Sequence, residues 1–478
     1  MGGIHGKVFI IGLDGATWDV LLPWMEEGVL PHLRALWERG AWGKLASTLP
    51  PLTAPAWTTF MTGKNPGKHG VFHFVKGKRQ PGTPSPSPPA IVNARSIQSP
   101  TLWDILSHHG LQVGVINVPM TYPPRPLNGF MITGLLTPPN AEVFTYPPEL
   151  ARDLVDYKVD LDRFIHHKPF AQARQGTQLI EPSLELVAEY RDLLERRRRN
   201  TLTLMQTRPW DVLMVVIAGT DRLGHYLWPY HRAADLDGSP QSQALHQAVR
   251  DYYVQVDQTI GEWVAAAGEE VTVLLMSDHG MGPVYSKHVH LNQWLREEGL
   301  LVLEQRRANL TRPDFWLARL GIPRDKLGRL VRSIPGLARS RVVQKARHAG
   351  TATIDMRRTA AYYVPIYVGT GGIYINVKGE DGQGVVSPGE EYEALREHLL
   401  HRLSTLTDPE TGRPVVVGAW RGEICYHGPY ATDIPDIVVL LDAPYSGSDR
   451  LSHYSALVTP RVGRANPGDH RQHGIFMA

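Results

Sequence analysis

The sequence predicts an α/β fold, with a central, mostly parallel sheet flanked by helices and one inserted, cap-like segment. Two observations carry that expectation. Three short runs, Lys7–Leu13 (KVFIIGL), Asp211–Ala218 (DVLMVVIA) and Val271–Met276 (VTVLLM), are apolar throughout and rich in β-branched residues. Strands buried on both faces of a parallel sheet read this way. Stretches of helical periodicity lie between them, and that alternation is the pattern of layered α/β domains.

Taken in order, Lys7–Leu13 stops abruptly at Asp14-Gly15. Asp19–Arg39 reads as helical, broken at Pro23 and Pro31, because proline has no N–H to donate. Leu45–Pro55 is rich in Ser, Thr and Pro and leads into helical turns over Ala56–Met61. Gln80–Ala90 (QPGTPSPSPPA) suits neither a helix nor a central strand and reads as an exposed loop. A helix is expected at Thr101–His109, a strand at Gln112–Asn117 and a Pro-rich loop at Val118–Pro126. Pro182–Gln206 is helical, and its basic run Arg196–Arg199 reads as a solvated helix end. Asp251–Ala267 is the next helix. Leu291–Arg358 is basic and carries no strand followed by a polar cluster. It reads as an insertion able to cap a site, leaving a discontinuous core of 1–290 and 359–478. Strand signals return at Gly372–Val377, Val415–Val417 and Ile437–Leu441. Gly474–Ala478 also reads as strand, either a short terminal one or one cut through.

The chain's 478 residues exceed what one compact core needs, so one large domain with insertions or two domains are expected. Hydrophobic residues at 42% and charged residues at 20% are the balance of a soluble globular protein. A net charge of +3 argues against nucleic-acid polymers and anionic membrane surfaces as partners. Cys425 is the only cysteine, which excludes an internal disulfide and a thiolate metal cage, and fits a reducing compartment. No apolar run is long enough to span a bilayer, and Met1–Lys7 lacks the layout of a signal peptide. A cytoplasmic protein with no membrane partner is the expectation.

Each of the three apolar runs ends in metal-ligand chemistry: Asp14, then Asp221 with His225, then Asp278 with His279. In open α/β sheets ligands bind beyond the carboxyl ends of the strands, so the three ends converge there. Gly468-Asp469-His470 supplies a fourth candidate group. Asp221 and His225 are four residues apart, so one helical turn puts both on one face. Asp278 and His279 diverge in a regular strand and meet only at a turn, for which Gly280 is placed. Carboxylates and imidazoles without thiolates suit zinc, manganese or iron better than calcium.

The ordered set Leu13-Asp14-Gly15, Thr53-Ala54-Pro55, Thr220 to His225, Ser277-Asp278-His279-Gly280 and Gly468-Asp469-His470 resembles the alkaline phosphatase superfamily. Its type I phosphodiesterase/nucleotide pyrophosphatase branch matches best. The runs Leu49 to Pro55 and Thr62 to Gly70 resemble that branch's nucleophile segment. The resemblance implies an alkaline-phosphatase-like fold and a two-metal hydrolase of small phosphate esters. It implies one ion at Asp221, His225 and His470 and another at Asp14, Asp278 and His279, the second also touching Thr53. Zinc is the usual metal, with manganese in some branches. Thr53 is then both a metal-touching group and the nucleophile, passing through phosphothreonine. From the residues alone, Thr53 better suits a loop threonine capping the helix that starts near Pro55.

One departure is specific. Pyrophosphatases carry an asparagine some twenty residues beyond the nucleophile, where this chain reads Val71-Phe72-His73-Phe74. His73 either donates in its place or belongs to an aromatic cluster. Asn117 and Tyr122 either line the cleft or build a turn; His288 and His290 face substrate or solvent; Lys68 and His69 read as surface groups. A sulfatase is excluded by Thr53-Ala54-Pro55-Ala56-Trp57, which lacks a modifiable Cys or Ser and the following arginine. A phosphomonoesterase on the same site, or a non-catalytic metal-binding protein of the same fold, remain the alternatives.

Overall fold

A computed structural model describes residues 6–76, 90–161, 183–304, 353–379, 384–432, 434–451, 456–461 and 466–478. Eight strands form the main sheet: β1 (Val8–Leu13), β2 (Trp42–Ala46), β3 (Val113–Val118), β4 (Gly129–Thr133), β5 (Thr145–Tyr146), β6 (Val212–Ile217), β7 (Thr272–Met276) and β8 (His473–Met477). Their order is β2-β8-β7-β1-β6-β3-β4-β5. The five central strands run parallel, while β8 pairs antiparallel with β7 and β2, and β5 antiparallel with β4. The expected central sheet is therefore present, and the three apolar runs are its adjacent middle strands. The closing residues form β8.

Side-chain alternation sorts the sheet into two packed faces. Phe9, Ile11, Leu13, Leu213, Val215 and Ile217 join one buried cluster with the helices Trp18–Glu26, Leu184–Thr207 and Pro240–Ala267. Ile10, Met214 and Val216 face the other way, onto Trp57, Met61 and Trp103. Each large apolar side chain buried this way contributes about 1.5–3 kcal/mol, so neither face can be left bare.

Several elements depart from the sequence reading. Pro23 does not break its helix, which runs Trp18–Glu26 with Thr17 capping Asp19 N–H. Pro31 instead begins a second helix, Pro31–Arg39, where a missing N–H costs nothing. The helix expected from Asp251 starts at Pro240, capped by Ser239. The basic run Arg196–Arg199 is not a solvated end. Arg197 is 3% exposed and donates to Val216 O at 3.2 Å and Val159 O at 2.8 Å. Arg196 pairs with Asp192 and Arg198 with Glu195 and Glu262. Arg197→Ala is expected to cost about 3 kcal/mol in urea unfolding, because buried carbonyls lose a charged donor. Arg196→Ala should cost under about 1 kcal/mol, as an exposed pair does; equal losses would refute this assignment.

A second sheet is antiparallel, in the order Ala361–Tyr367, Thr370–Ile375, Ile437–Leu441, Val416–Arg421. It has its own core with Leu399 and Leu403 of the helix Glu390–Ser404. Leu291, Trp294 and Leu295, at the start of the stretch read as an insertion, pack into that same core. Residues 305–352 of that stretch, and nearly all of the Gln80–Ala90 loop, lie outside the described residues. Among the described residues no helix is long and apolar enough to cross a membrane.

Candidate metal centre

The carboxyl ends of β1, β6 and β7 lie side by side, and the candidate groups sit on them. Asp14 N donates to Ile217 O at 3.0 Å, so Asp14 is held at the rim of the sheet. Gly15 follows with φ +67°, and a Cβ there would lie 3.0 Å from Asp221 Cα. Only glycine fits that approach without strain. Past β6 the chain enters the helix Gly219–Leu227 at once, which sets Asp221 in its first turn and His225 one turn on. Thr220 Oγ1 donates to Asp14 O at 2.6 Å and locks this helix to β1. Past β7 the bend falls on Asp278 and His279 themselves. Gly280, expected to supply the turn, opens a short strand, Gly280–Pro283, antiparallel to Gly468–Arg471. That pairing delivers His470 to the site, opposite Met281.

All seven predicted residues meet. His279 Nε2 lies 3.2 Å from Asp278 Oδ2, 3.6 Å from Asp14 Oδ1 and 3.3 Å from Thr53 Oγ1. His225 Nε2 and His470 Nε2 lie 3.4 and 3.3 Å from Asp221 Oδ1 and 2.9 Å from each other. The two groups touch, because the rings of His279 and His470 stack at 3.6 Å between centroids. His279, expected only beside Asp14 and Asp278, is also within 4.8 Å of Asp221 and His470 through ligand atoms.

Each histidine is oriented by a backbone carbonyl. Nδ1 of His225 donates to Gly468 O at 3.1 Å, of His279 to Gly280 O at 3.1 Å, and of His470 to Pro51 O at 2.8 Å. A carbonyl cannot donate, so Nδ1 carries the proton and Nε2 turns to the centre. Metal-binding imidazoles are held in this manner. Asp14 Oδ1, Asp221 Oδ1 and Asp278 Oδ2 are buried without a hydrogen-bond partner among the described residues. Such atoms are costly unless a cation meets them. The donor set therefore fits divalent ions of the zinc and manganese kind.

Without an ion, protonation carries part of the charge. Burial, then Asp278 and Asp221, push the Asp14 carboxyl well above its usual range, and burial and Asp221 push Asp278 up to about 8. Burial would raise Asp221 as well, but His225 and His470 outweigh it and hold Asp221 well below the usual range. Burial opposes the charged form of His225, yet Asp221 raises it to about 9. Burial lowers His279 and His470 to about 4.

These shifts set a pH dependence for the metal-free protein. Asp278 is protonated when folded and ionised when unfolded above the usual carboxylate range, so its contribution falls as pH climbs from that range through about 8, and the raised Asp14 acts in the same direction. The His225 contribution is complete below the ordinary imidazole value and lost through about 9. His279 and His470 act only below that ordinary value, and Asp221 lower still. Thermal melts in chelator should therefore fall from about pH 6.5 to 9, whereas metal-loaded protein should show a shallower slope. Identical slopes would contradict the assignment.

The sequence profile of the type I phosphodiesterase / nucleotide pyrophosphatase family matches residues 8–474. The chain belongs to that family. Members of this phosphodiesterase family are phosphoric ester hydrolases, and this chain is an enzyme of that kind. No curated protein matches it by sequence. Among solved structures it resembles phosphonoacetate hydrolase from Sinorhizobium meliloti 1021 in complex with phosphonoacetate, at 14% identity and a TM-score of 0.52, covering 99% of this chain and 89% of that one. Human ectonucleotide pyrophosphatase/phosphodiesterase 5 aligns at 13% identity and a TM-score of 0.47, over 98% and 87%. The fold is thus alkaline-phosphatase-like, as the resemblance implied.

Other candidate residues fall outside the cluster. His69 is not a surface group: it is fully buried, bonds Thr59 Oγ1 at 3.0 Å and accepts from Val71 N. Asn117 is buried, donates to Thr133 O at 3.2 Å and accepts from Tyr157 OH, as a structural turn requires. His288 bonds Ser446 Oγ and His290 bonds Thr459 Oγ1, on the two short strands that flank Lys287–Val289. His73 packs edge-on against Phe74, as in an aromatic cluster. Sequence reading missed three groups. Trp57 Nε1 donates to Asp14 Oδ2 at 3.1 Å. Arg222 lies 3.4 Å from Asp221 Oδ2 and 3.5 Å from Asp160 Oδ2. Ser47 Oγ donates to Asp278 O at 2.6 Å. Arg222 follows a candidate ligand directly, a signal that was available; the other two carried none.

Proposed function

We propose that this chain hydrolyses small phosphodiesters with two divalent cations, one held by Asp14, Asp278 and His279 and the other by Asp221, His225 and His470, and with Thr53 as nucleophile. The observation that supports this reading most is the convergence of three buried carboxylate oxygens, each without a hydrogen-bond partner among the described residues, and three Nε2 atoms beside one buried hydroxyl. Bound there, zinc or manganese would lower the pKa of the hydroxyl and offset charge on the phosphoryl group.

The chain's own residues supply the rest. Thr53 opens the helix Thr53–Thr62, whose dipole favours an anionic phosphoryl group at that end. Its Oγ1 attacks phosphorus as one ester P–O bond breaks; the first alcohol leaves with the threonine proton, and phosphorus stays joined to both Thr53 and the second alcohol. Water then displaces Thr53 and releases the phosphate monoester. His470 holds the loop before the nucleophile through Pro51 O, and Tyr426 holds it through Leu49 O.

Turnover of bis-p-nitrophenyl phosphate, p-nitrophenyl phosphate and phosphonoacetate, each with added zinc or manganese, tests the substrate class. Faster cleavage of the diester supports the reading. Preference for the monoester makes the enzyme a phosphatase, and preference for phosphonoacetate aligns it with the ligand of the S. meliloti protein. A metal-replete protein inert to all three would favour a non-catalytic metal-binding role.

A further inference from the structure

We infer that Trp57 is a positioning residue: its indole N–H fixes Asp14 so that one carboxylate oxygen is kept for the cation, and it ties that cation's site to the helix of the nucleophile. The inference rests on the two-cation reading above. Thr53 and Trp57 are four residues apart on one helix and share a face. Trp57 is fully buried, and its Nε1 donates to Asp14 Oδ2 at 3.1 Å. The indole reaches Asp14 by lying across β1 at Gly12, where a Cβ would come within 2.5 Å of Trp57 Cη2. Phe60 packs edge-on against the ring at 5.9 Å.

The consequence is a division of labour between the two oxygens of Asp14. Oδ2 is spent on the indole, while Oδ1 has no hydrogen-bond partner among the described residues and lies 3.6 Å from His279 Nε2. A carboxylate with neither oxygen held can turn about its Cβ–Cγ bond; a donor on one oxygen sets the other. Indole is a donor only, so Trp57 cannot accept or relay the proton of Thr53, and its effect must pass through Asp14. Partners of this outer kind typically change metal affinity 10–100-fold. A purely apolar role would need the ring and not its nitrogen. Trp57→Phe separates the two, because it keeps an aromatic ring over Gly12 and deletes the N–H.

Calorimetric titration of chelator-stripped protein with zinc is the direct test. Wild type is expected to take up two ions. Trp57→Phe should bind one with unchanged affinity and the other about 10–100-fold more weakly. Asp14→Asn, which weakens the same ion, identifies which one. Folded Trp57→Phe that binds both ions like wild type overturns the inference and leaves the cation reading standing. Wild type that binds no ion overturns both. Should Trp57→Phe not fold, the wild-type protein serves with its 12 tryptophans labelled at the indole nitrogen. One indole N–H resonance should move on adding zinc, the same one that Asp14→Asn displaces. No such resonance would overturn the proposal.

Discussion

Thr53→Ala is expected to reduce kcat by roughly 10⁴–10⁶-fold while leaving the fold intact. The hydroxyl is buried at 4% exposure and lies 3.3 Å from His279 Nε2, inside the ring of acidic and imidazole groups. Its alternative role, capping the helix, does not apply: the N-cap is Leu52, and no side chain caps the first turn. Alanine also has the best helix propensity, so the substitution should not weaken Thr53–Thr62. Loss of rate would therefore report chemistry and not unfolding, which circular dichroism can verify. Acid-quenched wild type mixed with diester should carry, on the Thr53 peptide, one phosphoryl group still esterified to the second alcohol, and the alanine variant none. A variant within about tenfold of the wild-type rate would remove Thr53 from the mechanism.

Much of this centre could be read before any coordinates, for a physical reason. A strand buried on both faces has no place for Asp or His, so such residues at its end mark a site as well as a boundary. That made Asp14, Asp221 and Asp278 visible. The four-residue spacing of Asp221 and His225 was equally explicit, because it needs only one helical turn. What stayed hidden depends on tertiary approach. Trp57 belongs to an ordinary apolar face, and nothing in its neighbours reveals that its nitrogen meets Asp14, 43 residues away in sequence. Arg197 looked solvated because its run is basic, yet the middle of a long helix against the sheet leaves one of four arginines facing inward. His279 was assigned to one group alone because sequence cannot show its ring lying against that of His470. The antiparallel second unit was seen only as separate strand signals, since its core draws on Leu291–Leu301 and Ala361–Val458, far apart in the chain.

Exhaustive chelation should abolish turnover by about 10³-fold or more, with activity returning on addition of zinc or manganese. The argument is electrostatic. Asp14, Asp221 and Asp278 are each at most 4% exposed, and each keeps an oxygen without a hydrogen-bond partner among the described residues. In the stripped protein a neutral Asp14 and Asp278, and a proton on His225, have to stand in for the cations. Protons relieve the repulsion, but they cannot activate Thr53 or hold two phosphoryl oxygens. Reloading should also raise the melting temperature, since a ligand at about a thousand times its Kd adds roughly 4 kcal/mol per site. Asp278→Asn and Asp221→Asn should each lower bound metal from two ions to one by elemental analysis, because the two carboxylates serve different halves of the cluster. Asp221→Asn has the further effect of leaving Arg222 without one of its two acidic neighbours. Stripped protein that hydrolyses diester at the original rate, with no metal detectable, would mean that the buried acids and imidazoles do their chemistry as protonated groups.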